Sequence, residues 1–176
     1  MVVLVAAESN ERESLLAFLE AHRGAVRRSV HGLTEEQARA TPSASSLSLG
    51  GLLKHVATCE QHWIEGTLMG RELTQQPWAD QHRLLDGETV ADWLKQYEEV
   101  ADETERIIRS LPDLEVDAAL PEAPWFPPNS RRTARWILTH LCTEVARHAG
   151  HADIIRETLD GRTALELVAA VKQDTA

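Results

Sequence analysis

The stretch from Trp136 to Arg156, WILTHLCTEVARHAGHADIIR, holds the spacing most suggestive of chemistry. Ile137, Leu141, Glu144, His148, Ala152 and Ile155 recur every three or four residues, which puts them on one face of an α-helix. The outer members are apolar, so this face should turn toward a core, yet its middle carries a carboxylate and an imidazole one turn apart. An ionised Glu144 on a buried stripe costs free energy unless something pairs with it. A metal ion would satisfy both groups, because residues four apart project side by side and Glu oxygen and His nitrogen are both good ligands. A buried ion pair with core histidines explains the same spacing equally well. A third ligand would have to come from another helix, and His55, three residues after Leu52 on the border of a second apolar stripe, is the candidate. His55, Glu144 and His148 would form a His₂Glu set, a known catalytic zinc arrangement with a fourth position left for water or substrate.

Several residues surround this candidate site. His140 lies one turn before Glu144 and His151 three residues after His148. Both read first as partners that orient the carboxylate or imidazole, with direct ligation and a plain structural hydrogen bond as the alternatives. Arg147 and Arg156 are candidates to receive a carboxylate of an anionic thiol or substrate, although Arg156 can also pair locally with Asp153 on a solvated face. Cys59, one turn after His55, could approach a metal but reads more simply as a buried, inert thiol. His22, His31, His62 and His82 read as surface residues.

The elements that must position these groups are helical. Ser9 or Asn10 can cap a first helix whose apolar side is Leu15, Leu16, Phe18, Leu19 and Val26, with Arg23, Arg27 and Arg28 expected in solvent. His31-Gly32 ends it, and Thr34 to Gln37 reads as a capping box opening one short turn. A second helix should run from Ser48 to about Met69 with Leu49, Leu52, Val56 and Trp63 as its stripe. A polar connection fills 70–88, and Thr89 caps a third helix from Val90 to about Leu111. Five of the seven prolines fall between Pro112 and Ser130 beside Trp125 and Phe126, which excludes a regular helix there. Those two aromatics could roof a pocket or simply plug the bundle end. The helix bearing Glu144 and His148 should span Arg131 to Leu159 and stop at Asp160-Gly161, with a short last helix from Thr163 to Lys172. No strand alternation of useful length appears. The expectation is an all-α four-helix bundle with short extra helices and a long Pro-rich loop before the last main helix, residues 1–176 forming one domain.

Composition bounds the function classes. A formal charge of −10 argues against nucleic-acid binding, which normally needs a basic face, and weakly against an anionic membrane. Two cysteines, Cys59 and Cys142, without CxxC spacing support neither a disulfide framework nor a thiolate zinc knuckle. The opening run Val2 to Ala7 lacks a basic segment and is too short to span a bilayer, so a reduced, cytoplasmic setting is expected. Arginine greatly outnumbers lysine and alanine is abundant, a composition that suggests a GC-rich genome.

SLGGLLKHVATCEQHW, followed far downstream by ARWILTHLCTEVARHAGHADIIRETLDG, resembles the DinB/YfiT-like superfamily of four-helix metalloproteins. More narrowly it is similar to the mycothiol-transferase branch common in actinobacteria. RHAGHAD is the most specific part, and the likeness extends over ERESLLAFLE and HGLTEEQARATPS to nearly the whole chain. The resemblance implies a divalent ion held by one histidine of the second helix and two residues four apart on the last, which here are His55, Glu144 and His148. Many relatives carry His at the first of the paired positions. Glu144 stands there in this chain, as in the mycothiol-dependent maleylpyruvate isomerase relatives, which places it nearer the thiol-transferase group.

The expected activity is thus a metal-dependent thiol S-transferase or isomerase. A low-molecular-weight thiol, mycothiol first with bacillithiol and glutathione as alternatives, would attack a small electrophile. Zinc is the first choice of ion, and nickel, iron and manganese also accept nitrogen and oxygen ligands. The rival readings are a metal-dependent hydrolase on the same scaffold, and a non-catalytic divalent-metal-binding stress protein or small-ligand carrier. A homodimer is compatible with all of them.

Overall fold

The structure is a computed structural model and describes residues 5, 7, 8, 10–74, 77, 80–124 and 126–174. Ser9, Trp125 and most of the apolar run before residue 8 lie outside the described residues. In chain order the helices are α1 (Glu11–Ser29), α2 (Glu35–Arg39), α3 (Leu49–Gln61), α4 (Val90–Ser110), α5 (Ala134–Asp160) and α6 (Ala164–Asp174). The all-α bundle expected from the periodicity is present, with α1, α3, α4 and α5 as its long members.

Each long helix starts where the sequence supplies a side-chain acceptor for an orphan N–H. Asn10, Ser48, Thr89 and Thr133 accept from the backbone N–H of Glu13, Gly51, Asp92 and Trp136. Thr34 and Gln37 close a reciprocal capping box on α2. At the far end of α5, Gly161 adopts φ 78°, the left-handed conformation that lets the chain turn away. Leu16, Leu19, Val26, Leu52, Leu53, Val56, Ile107, Ile137, Leu141 and Ile155 from the four helices meet in one buried core.

Cross-helix contacts fix the helix directions. Arg135 donates to Glu11, Cys142 Sγ to the Leu15 carbonyl and Arg156 to the Ser29 carbonyl, so α1 and α5 run parallel. Lys54 meets Glu88 just before α4 while Thr104 meets Glu60, so α3 and α4 also run parallel. Trp63 packs on His140 while His55 approaches Glu144, which makes α3 antiparallel to α5. Two consecutive parallel helices demand a connection that returns along the bundle. That return falls within 70–88, whose described part carries His82 past α3.

Three features depart from the sequence reading. Asp117–Ala119 and Arg131–Thr133 pair as a short antiparallel ladder, β1 and β2. Alternation cannot reveal strands of three residues, and their pairing delays the start of α5 to Ala134. Beyond Gln61, α3 continues as a π-helical segment over His62–Leu68, a widened winding that often marks functional sites.

The third departure concerns arginines. Arg23, expected in solvent, is fully buried and donates to both carboxylate oxygens of Glu60. Arg156 is also buried; it donates to the Ser29 and His31 carbonyls and to Asp160, not to Asp153. Its guanidinium ties the end of α1 to the end of α5 and is engaged there.

The Arg156–Asp160 contact yields a pH prediction. Burial alone would raise the Asp160 carboxyl, but hydrogen bonds from Arg156 and from the Arg162 N–H outweigh it, and the net shift is downward. A depressed folded-state pKa contributes stability above the unfolded value, and that contribution is lost as pH falls through the folded one. Asp160→Asn should therefore unfold at a lower temperature than the parent at pH 7. The gap should narrow below about pH 4, the unfolded carboxylate range, as read by thermal melts across pH.

Candidate metal centre

His55 reaches the interior from the middle of α3, and Glu144 and His148 from successive turns of α5. The antiparallel packing of those helices brings the three together. Both imidazoles aim their Nε2 at the same carboxylate oxygen, Glu144 Oε1, at 3.5 Å from His55 and 3.1 Å from His148. One nitrogen or oxygen atom of each residue lies within 4.8 Å of the other two. His55 and His148 are buried at 7% and 8% exposure, whereas the Glu144 side chain keeps 24%, so the cluster faces solvent through its carboxylate.

The donor set suits a divalent ion. Ligands bound at about 2.1 Å in a tetrahedron stand roughly 3.4 Å apart, and 3.1 and 3.5 Å bracket that spacing. Among the described residues no arginine or lysine pairs with Glu144, so a positive charge there falls to the histidines or to an ion. Hydrogen bonds first from His148 and then from His55 hold the Glu144 carboxyl far below its usual range. It is thus fixed as an anion, the form a metal requires.

The neighbours divide into those that touch the cluster and those that do not. His151 Nδ1 lies 3.4 Å from His148 Nδ1, the nitrogen that faces away from Glu144. His140 does not join the cluster. Its ring stacks on Trp136 at 5.2 Å and meets Trp63 edge-on at 4.8 Å, and burial lowers its pKa against the pull of Glu144. It is therefore a neutral imidazole at physiological pH. Phe126 extends this aromatic group to the proline-rich loop, 6.4 Å from Trp63, while Trp125 lies outside the described residues. Arg147 lies on the exposed side of α5.

Cys59 is no nucleophile. Burial first, then the charges of Glu144 and Glu60, push its thiol up to about 12, so it stays protonated.

Two of the histidines read as surface residues, His62 and His82, make contacts beside the cluster. His62 is half-buried, with Nδ1 2.9 Å from the Thr58 carbonyl and a buried Nε2 that lacks a hydrogen-bond partner among the described residues. His82 stacks on His55, with ring centroids 4.0 Å apart and planes 22° from parallel. No periodicity could have revealed it, because it comes from the irregular 70–88 connection. The available signal was Gly50-Gly51 inside a helix, where glycine is unfavourable without a packing reason. A Cβ on Gly51 would lie 2.0 Å from the His82 carbonyl oxygen, and one on Gly50 would lie 2.6 Å from a Leu84 methyl.

No helix among the described residues is long and apolar enough to cross a membrane. Comparison with known families gives a match over residues 14–161 to the model described as Mycothiol-S-transferase. That span contains all three convergent residues. A search of curated proteins returned no match.

Proposed function

Because the chain belongs to the mycothiol-S-transferase family, we propose that it transfers a low-molecular-weight thiol, mycothiol first, to a small electrophile at a metal held by His55, Glu144 and His148. The observation that carries this reading is the convergence of two imidazole nitrogens on one ionised, partly exposed carboxylate oxygen. A bound divalent ion, zinc by preference, would supply a Lewis acid that favours the thiolate over the thiol.

The chain's own groups have distinct tasks. With Nε2 committed to a metal, His148 must carry its proton on Nδ1, where His151 Nδ1 can accept it and hold the ring in orientation. His140, neutral and one turn from Glu144, is placed to accept the proton that an incoming thiol loses. The thiol sulfur then forms its bond to the electrophilic carbon, the leaving group departs with its electron pair, and one proton is released per turnover. The aromatic group of Trp63, Trp136 and Phe126 offers an apolar flank for the electrophile beside this position.

The test has two stages. Protein purified without an affinity tag should contain close to one equivalent of divalent metal by elemental analysis, and His55→Ala little. The parent should then conjugate mycothiol to an activated aryl chloride faster than the uncatalysed reaction does. Stoichiometric metal without any thiol conjugation would favour the carrier reading. No metal, even after added zinc, would leave a buried ion pair.

A further inference from the structure

His55 differs from His148 in how its ring is held. Metal-bound histidines nearly always donate their second ring N–H to a carboxylate, a carbonyl or water, which fixes ring and tautomer. His148 has such a neighbour in His151. The Nδ1 of His55 is buried and has no hydrogen-bond partner among the described residues. Apart from Glu144 at Nε2, two aromatic rings pack on His55: His82 lies nearly parallel to it at 4.0 Å, and His148 meets it edge-on at 4.7 Å.

The segment bearing His82 is not loosely placed. Gly51 lets the His82 backbone come closer to α3 than any side chain would permit. Two residues on, Arg39 donates to the Leu84 and Leu85 carbonyls and to that of Glu88, clamping the return strand of the crossover to the end of α2. Lys54, the residue before His55, is fully buried and donates to both carboxylate oxygens of Glu88. The crossover is therefore anchored along the turn that precedes His55, with an aromatic ring set flat on the His55 imidazole.

We infer that His82 is a positioning residue for the metal centre: its ring, seated over His55 through the Gly51 gap, takes the place of the missing hydrogen bond and holds His55 Nε2 toward Glu144. The inference rests on the metal reading above. Its content is that the flat ring at position 82 does the positioning.

Cobalt(II) binding to metal-stripped protein tests it, read both as a dissociation constant and as the visible absorption that reports coordination geometry. His82→Ala should weaken binding roughly tenfold, the lower range for loss of a partner that orients a ligand, and should alter the absorption bands. His82→Phe should restore both. The unfolding midpoint of the metal-free protein should not move in either variant, which separates a positioning role from a general structural one. A loss below fivefold in His82→Ala overturns the inference, as does a His82→Phe variant as weak as the alanine one. Failure of the parent protein to bind cobalt would remove the metal reading and this inference with it; the two variant outcomes remove the inference alone.

Discussion

His148→Ala is expected to lose the metal and the transferase activity together while remaining folded. His148 is the residue on which the centre depends most. In the proposed centre it would supply one of three ligand atoms; it lies nearest Glu144 Oε1 at 3.1 Å and gives the carboxylate its first hydrogen bond. Partners that merely orient a ligand cost about 10–100-fold in affinity when lost; removing a ligand should exceed the upper end of that range. If the three residues formed only a buried electrostatic cluster, removing one member would strand charge in the interior, at about 3–5 kcal/mol. The Glu144 side chain keeps 24% exposure, however, so water can replace His148 at the carboxylate. The metal-free variant should therefore melt within a few degrees of the metal-free parent, since about 1 kcal/mol corresponds to roughly 2–4 °C for a chain of this size. Retained stoichiometric metal in His148→Ala would refute the assigned ligand set.

What could be read in the sequence followed from how local each signal was. The helices were legible because Asn10, Thr34, Ser48 and Thr89 act through hydrogen bonds three residues along the chain, and Gly161 acts through its own φ. Glu144 and His148 were legible as a pair for the same reason. Their meeting with His55 rests, in the sequence, on spacing and on the family likeness, because the antiparallel approach of α3 and α5 is a tertiary fact. Arg23 shows the opposite failure. On α1 it reads as one of three solvated arginines, and only its partner thirty-seven residues away on α3 accounts for its burial. His82 was lost for a related reason, since a crossover between parallel helices has no period of its own. The glycines that admit it were visible, but the backbone they admit was not.

The buried Arg23–Glu60 pair carries the second large effect, and it bears on the centre through α3. Glu60 is fully buried and accepts from Arg23 Nε at 3.0 Å, from Arg23 Nη2 at 2.5 Å and from Thr104 Oγ1 at 2.7 Å. One carboxylate thus ties α1 and α4 to α3, five residues beyond His55. Glu60→Ala would leave a guanidinium in the core with no equal partner, because Glu20 and Glu105 approach it only at 3.4 and 3.7 Å. Breaking a buried pair in this way costs about 3–5 kcal/mol, so the melting temperature should fall by roughly 6–20 °C. Removing both charges is a different experiment. Arg23→Met with Glu60→Leu fills much of the same volume, has no charge to desolvate, and should recover most or all of the lost stability. If α3 is held in register by packing once the charges are gone, metal affinity should return with the fold. A double variant that melts like the parent but binds metal at least tenfold more weakly would show instead that the ion pair fixes the direction of His55.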